Sequence, residues 1–137
     1  MSDTKYVDFY GIDSLDFAVK RQVFDRPVAS YQLVQDQLAR MLVEITKAQL
    51  VSFHLGRMLD DHQAKPPQIS LAKLNNVREA LKIARMARDI TGARGILADH
   101  HIIRHLCDLE AISTLEGTAG MHTLVLGQEI TGIAAFH

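Results

Sequence analysis

The chain of 137 residues has the length of one domain, and its 47% apolar and 23% charged residues are typical of a soluble globular protein. Fifteen basic and sixteen acidic side chains leave a formal net charge of −1, so no basic excess indicates a nucleic-acid or membrane partner. The single cysteine, Cys107, excludes an intramolecular disulfide. The first residues lack a signal-peptide layout, and no apolar run reaches the roughly 18 residues of a membrane span. The composition therefore favours a cytoplasmic protein.

The apolar residues recur with the period of an α-helix along most of the chain, with strand signals nearly absent. We predict helices at residues 14–24, 30–61, 70–91 and 121–136, with residues 97–113 as a broken, partly helical connection. Ser30 and Ser70 are candidate N-caps, and Gly92 is a candidate C-cap. The sequence therefore predicts an all-α fold, an up-and-down four-helix bundle. Its apolar surface exceeds what a monomer needs, which predicts self-association.

Two further patterns have residue types and spacings that occur in binding sites. His101 and His105 share a helical face at a spacing that can hold zinc or iron, but no second group of Cys, His or Glu supplies further ligands. We therefore predict no metal site. The segment ITGARGI, residues 90–96, follows a helix rather than a strand, so it lacks the context of a dinucleotide fingerprint. Its glycines indicate close backbone approach either to a phosphate or to another helix.

The segment LEGT, residues 115–118, places a carboxylate beside a glycine within an otherwise apolar stretch. Thr118 is a good N-cap for the last helix, and Gly117 lets the backbone bend and approach a ligand closely. Two interpretations of Glu116 fit this spacing. The carboxylate either carries out chemistry at the mouth of the bundle, or it merely favours the positive end of the helix that follows.

Five blocks of sequence, in order and at matching separations, resemble the C-terminal helical domain of the acyl-CoA dehydrogenases, and most closely the glutaryl-CoA dehydrogenases. They are KRQVF followed by a proline, QLVQDQLARMLVEIT, ARDITGARGI, IIRHLCDLEAISTLEGT and LVLGQEITGIAAF. The family pattern is Arg-x-x-Phe-Gly-x-Pro, then Gly-Gly-x-Gly, then Tyr-Glu-Gly-Thr. The resemblance identifies residues 17–137 as the helical bundle and residues 1–16 as an extension that includes the start of the first helix.

The resemblance implies an FAD-dependent oxidoreductase that dehydrogenates an acyl-CoA thioester between its α and β carbons. Glu116 matches the catalytic base, which removes the α-proton while the β-hydrogen leaves as hydride to flavin N5. In the family the enolate is stabilised by hydrogen bonds to the thioester carbonyl from a ribityl hydroxyl and from the glutamate's own backbone N–H. The resemblance thus makes Glu116 and Gly117 substrate contacts, with Gly117 leaving room for the ligand.

The resemblance also implies FAD contacts made across a subunit boundary of a homo-oligomer, a dimer or a tetramer. Arg21 matches the arginine at the pyrophosphate, Phe24 the phenylalanine beside the cofactor, and Gly92 the first glycine of the phosphate-approaching turn. Asp89 stands where many members have a glutamine near the adenosine half, and the glutaryl-type enzymes also carry aspartate there. Thr118 matches the residue that family members place near the flavin.

Family enzymes also carry an N-terminal helical domain and a middle β-domain, which hold the flavin ring and much of the CoA. We expect the 137-residue chain by itself to be inactive and to bind FAD weakly or not at all, unless a separate chain supplies those domains. Departures from the family pattern occur at Asp25, at Ala93-Arg94, at Leu115 before the base, and at Gly120. The replacements at Asp25, Ala93 and Leu115 favour an alternative interpretation, a non-catalytic helical oligomerisation module derived from that domain. Retention of the matching residues favours the enzyme domain, and these are Arg21, Glu116, Gly117 and Thr118.

Overall fold

The computed structural model describes residues 11–135, with side chains described from residue 13 onward. In chain order the elements are α1 (Gly11–Lys20), β1 (Gln22–Val23), β2 (Arg26–Pro27), a 3-10 turn (Val28–Ser30), α2 (Gln32–Asp60), α3 (Pro66–Thr91), a second 3-10 turn (Gly92–Ile96), α4 (His101–Thr114) and α5 (Ala119–Thr131). The two short strands pair antiparallel, with Val23 opposite Arg26. The predicted all-α class is confirmed.

The boundaries of the helices differ from the predicted ones at several positions, and α1 begins at Gly11 and α5 at Ala119 rather than at residues 14 and 121. Residues 97–113 are not a broken connection, because α4 is regular from His101 to Thr114 and raises the number of α-helices in the described range to five. The first helix ends at Lys20, because the hairpin follows it directly. The last helix ends at Thr131, where Gly132 takes the left-handed conformation with φ 72 as a C-cap. Phe136, its predicted end, lies outside the described residues.

The predicted N-caps at Ser30 and Ser70 are wrong. Ser30 ends a 3-10 turn and donates its hydroxyl to the Pro27 carbonyl at 2.7 Å. Helix α3 begins at Pro66, because proline at the first helical position gives up no hydrogen bond and has its φ already set for the helix. Ser70 therefore lies inside the helix, and its hydroxyl is available for a contact with another element.

Helix α3 is the central element and contacts α1, α2, α4 and α5. One buried cluster joins its Ile83, Ala87 and Ile90 to Ala18, Met41 and Ile102, and a second joins its Leu81 and Ala84 to Leu109. Ala84 and Ala87 are both 0% exposed, as small side chains at the contacts of a central helix allow. The Gly92 C-cap is also confirmed, with a positive φ of 59 at that residue.

Several large apolar side chains remain on the surface of the described chain. Leu33 is 82% exposed, Phe53 is 66% exposed and Ile130 is 83% exposed. Helix α5 buries none of its residues. Apolar surface of this extent is typical of a domain that packs against further protein. No described helix is both long and apolar enough to cross a membrane.

Candidate active site and cofactor groove

The turn between α4 and α5 holds two consecutive residues with positive φ, Glu116 at 55 and Gly117 at 98. Helix α4 stops at its cap, Leu115, whose N–H donates to the Ala111 carbonyl at 3.0 Å. Helix α5 starts at Thr118, whose Oγ1 accepts from the Met121 N–H at 3.3 Å, so the predicted cap is confirmed. A left-handed conformation costs a residue with a Cβ about 1–2 kcal/mol. We refer to residues 115–118 as the Glu116 turn.

Lys73 of α3 binds the Glu116 turn through its ammonium group. Nζ donates to the Gly117 carbonyl at 2.9 Å and also to the Leu115 carbonyl. These two acceptors stand on either side of Glu116. Charge-assisted hydrogen bonds are roughly twice as strong as neutral ones, so this half-buried lysine stabilises the turn substantially. Sequence reasoning missed Lys73, because the partners are separated by 42 and 44 positions in the chain.

His122 of α5 packs against the other side of the turn. A Cβ on Gly117 would lie 3.0 Å from His122 Nε2, so any larger residue at 117 would have to displace this ring by a few tenths of an ångström. His122 Nδ1 is hydrogen-bonded with Ser70 Oγ at 3.1 Å. Its Nε2 is buried and has no hydrogen-bond partner within the described residues. The contact explains what the hydroxyl of Ser70 does inside α3.

The Glu116 side chain is exposed, and the residue lies in the turn that joins α4 to α5. Beside the turn lies a small cavity of about 150 Å³, lined among others by Lys73, Gly117 and His122. Any molecule on which this carboxylate acts must therefore approach from outside the chain. An anchored turn that presents an outward carboxylate is chemically suited to a general base for a bound ligand.

A second region is an open groove of about 910 Å³ between α1, the hairpin and the end of α3. Arg21 and Gly92, two of the predicted FAD contacts, both line it. Its charged lining carries both signs, with Lys20, Arg21 and Arg94 as well as Asp13, Asp16 and Asp99, and Lys20 forms an ion pair with Asp16 at 2.7 Å. A Cβ at Gly92 would meet no atom within 4 Å, so the backbone there is open to a ligand.

Arg94 is a groove residue that sequence reasoning classed only as a departure from the family pattern. Its guanidinium lies 5.7 Å from the centre of the Phe17 ring, and both residues line the groove. Arg94 therefore places a second guanidinium group in the lining of the groove, in addition to that of Arg21. A basic residue in a glycine-rich turn is the signal that could have identified it.

Phe24 and Asp25 form the tip of the hairpin, with φ values of 49 and 62. Both central residues of a type I′ turn need a positive φ. Glycine, which the family pattern has at position 25, adopts such a φ without strain. Aspartate is one of the few residues with a side chain that also adopt it. Tyr31 holds the hairpin through a 2.7 Å hydrogen bond from its hydroxyl to the Val23 carbonyl. The Phe24 ring is 88% exposed and lies outside the described lining of the groove.

Asp89, a further predicted FAD contact, lies in the last turn of α3, whereas Thr118, the fifth, caps α5 in the Glu116 turn. Asp89 forms an ion pair with its neighbour Arg88 and is also outside the described lining of the groove. Asp89 is therefore close to Gly92 in sequence, but it does not line the groove that Gly92 lines.

The predicted site residues fall into two groups at opposite ends of α3. The Glu116 turn lies near Lys73, toward the start of α3, whereas the groove lies near Gly92, at the end of the same helix. At about 1.5 Å per residue, the helix separates these two positions by about 28 Å. One chain therefore does not bring its candidate base and its candidate phosphate contacts into a single pocket.

The histidine pair singled out in the sequence lies on α4. The His101 and His105 rings stack with centroids 6.0 Å apart, and Arg104 lies 2.6 Å from His101 Nδ1. Across residues 11–135, no group of three or more His, Cys, Asp or Glu side chains is arranged to hold a metal ion.

The family model and the similar proteins found by comparison indicate the same protein family. The family model described as acyl-CoA dehydrogenase, C-terminal domain, matches residues 12–131. The crystal structure of glutaryl-CoA dehydrogenase from Mycobacterium smegmatis superimposes with a TM-score of 0.91 and 47% sequence identity, covering 93% of this chain and 33% of that one. A second structure, of a glutaryl-CoA dehydrogenase from Mycobacterium smegmatis in complex with FADH2, shares 45% identity at the same TM-score and coverage.

A curated relative extends the comparison beyond solved structures. Glutaryl-CoA dehydrogenase of Desulfococcus multivorans is 26% identical over 124 residues, which is 87% of this chain and 32% of that protein. The chain thus spans about a third of the length of these relatives.

Proposed function

The chain belongs to the acyl-CoA dehydrogenase family, whose C-terminal domain it matches, and on that premise we propose that it supplies the catalytic base of an FAD-dependent acyl-CoA dehydrogenase of the glutaryl-CoA type. Glu116 is the proposed base. It takes the α-proton of the acyl thioester, and the β-hydrogen departs with its electron pair, which leaves a double bond between the two carbons. Bound FAD supplies the hydride acceptor.

The geometry of the Glu116 turn carries this proposal. The turn combines a left-handed glutamate, an exposed carboxylate, and anchoring of both neighbouring carbonyls by Lys73. Strained residues held by their surroundings cluster at active sites, whereas a carboxylate that only favours a helix end needs no such anchoring. The backbone N–H of Glu116 is the proposed second contact to the substrate, donating to the thioester carbonyl as the enolate forms.

The open groove supports the proposed FAD contacts. Arg21 and Arg94 offer guanidinium groups for a pyrophosphate, and the backbone at Gly92 is unobstructed. The groove is about 28 Å from the Glu116 turn along α3. We therefore propose that the two ends serve different FAD molecules in a homo-oligomer, with Arg21 and Gly92 reaching the cofactor held mainly by a partner subunit.

A second candidate function is a non-catalytic oligomerisation module. The exposure of Ile130 and the absence of any buried residue on α5 favour it, because both suit an interface helix. Self-association is compatible with both functions, so the chemistry at Glu116 distinguishes them.

The deciding experiment grafts residues 17–136 onto the N-terminal and middle domains of the Mycobacterium smegmatis enzyme. With glutaryl-CoA as the probe, the rate of flavin reduction is compared between the parent graft, Glu116→Gln and the control Glu129→Gln. Loss of a general base typically costs about 10²- to 10⁴-fold in rate. Glu129 is an exposed carboxylate on α5, so its amide variant controls for the loss of one charge.

We expect Glu116→Gln to keep its flavin content and oligomeric state while losing flavin reduction, and Glu129→Gln to match the parent. Equal reduction rates for Glu116→Gln and the parent would end the catalytic assignment and support the oligomerisation module instead.

A further inference from the structure

We propose that Lys73 is a positioning residue for the proposed base, and that it also polarises the peptide group between Leu115 and Glu116. The inference rests on the proposed function, because it concerns how Glu116 is presented to the substrate. Its starting observation is one ammonium group shared between the two carbonyls that flank this glutamate.

The ammonium group of Lys73 is directed to the turn rather than to a counter-ion. Within the described range, none of the ion pairs includes Lys73. An ammonium offers three N–H donors, and two of them go to the Leu115 and Gly117 carbonyls. A half-buried charge needs strong hydrogen bonds to offset its lost hydration, so the lysine and the turn stabilise each other.

These two hydrogen bonds oppose relaxation of Glu116 from its left-handed conformation. A change of φ at residue 116 from 55 toward the ordinary negative range would turn the flanking carbonyls relative to each other. Nζ could then no longer bind both oxygens at once. The His122 ring closes the opposite side of Gly117, so the turn is held between two side chains from different helices.

The Leu115 carbonyl and the Glu116 N–H belong to the same peptide group. A positive charge hydrogen-bonded to the carbonyl oxygen draws electron density from that group, and this makes its N–H a stronger donor. In the proposed reaction that N–H faces the thioester carbonyl, where negative charge develops. Lys73 would then lower the barrier to enolate formation without contacting the substrate.

The first test uses the full 137-residue chain and backbone NMR. Lys73→Met keeps the aliphatic stem and removes the ammonium, whereas Lys82→Met removes an exposed lysine that pairs with Glu79 on the same helix. We expect the order parameters of Glu116 and Gly117 to fall from about 0.85 to below about 0.6 in Lys73→Met alone. Lys73→Arg, which retains charged donors, is expected to restore part of the order.

The second test uses the graft on the Mycobacterium smegmatis domains. We expect Lys73→Met to reduce the flavin-reduction rate about tenfold with KM unchanged, less than the loss from removing an oxyanion donor outright. Exchange of the α-hydrogen of a thioester lacking β-hydrogens, followed in deuterated water, should slow by the same factor. That exchange reports enolate formation alone, and Lys73→Arg should recover part of both rates.

Unchanged order parameters at the Glu116 turn in Lys73→Met would overturn the positioning role. A disordered turn with an unchanged α-hydrogen exchange rate would overturn the polarising role. The proposed function fails separately, if Glu116→Gln retains the parent rate, and in that case the NMR result on the chain still decides whether Lys73 holds the turn.

Discussion

The imidazole of His122 packs beside Gly117, so that a Cβ on residue 117 would come 3.0 Å from Nε2 and 3.2 Å from Cε1. The same glycine has a φ of 98, which residues with a side chain rarely adopt. Two independent effects, crowding by the His122 ring and the positive φ, therefore favour glycine beside the proposed base. Neither of them involves a ligand.

Gly117→Ala should destabilise the chain by about 1–3 kcal/mol, because the backbone strain adds to displacement of a ring that Ser70 holds in place. The matched control is Gly127→Ala on α5, where a Cβ meets no atom within 4 Å and alanine should stabilise the helix by about 0.5–1 kcal/mol. Urea unfolding midpoints measure both effects. A midpoint for Gly117→Ala at or above the parent value would contradict the packing described for His122.

Gly95→Ala should destabilise the chain by about 1–3 kcal/mol, because the new methyl group overpacks the junction of α3 and the 3-10 turn. A Cβ there would lie 2.4 Å from Thr91 Oγ1 and 2.9 Å from the Arg88 backbone. The displaced turn carries Gly92 and Arg94, so the graft should also lose bound flavin, measured by its absorbance. Gly56→Ala on α2 serves as the control, since its Cβ position is open. Retention of full flavin and stability by Gly95→Ala would refute this prediction.

The chain should self-associate in solution, because Leu33, Phe53 and Ile130 leave apolar surface without a partner. Light scattering should give a mass above the 15.3 kDa of one chain. Ile130→Glu should shift the mass toward the monomer while leaving the helical circular dichroism intact, because residue 130 is 83% exposed and makes little contact within the chain. A parent chain that stays monomeric at high concentration would show the prediction to be wrong.

The purified chain should be colourless. Its predicted FAD contacts are dispersed, since Arg21 and Gly92 line an open groove while Phe24 and Asp89 lie outside that lining. We expect an FAD dissociation constant no tighter than about micromolar, which corresponds to about 8 kcal/mol or less of standard binding free energy. Fluorescence titration with FAD measures it, and stoichiometric flavin retained through purification would be the contrary result.

Local sequence signals predicted the helical class and several of the helix ends. The apolar period of 3.6 residues depends only on neighbouring positions, so it identified α2 and α3 directly. Thr118 and Gly92 were assigned correctly as caps, because each cap forms hydrogen bonds or a special φ within its own few residues. Ser70 was misassigned because its local pattern also fits a cap, and only the start at Pro66 places it inside the helix.

The sequence by itself determined that this chain is helical and that a glutamate precedes a glycine and a capping threonine at the start of α5. Tertiary structure decided how that glutamate is held. Lys73 contacts the Glu116 turn across 42 positions of sequence, and Ser70 contacts His122 across 52. Periodic and capping signals in the sequence do not extend over such separations. Such contacts depend on how α3 packs against α4 and α5, and this packing also separates the two candidate regions by the length of one helix. Helix formation is governed by neighbours in sequence, whereas the position of a catalytic side chain is governed by neighbours in space.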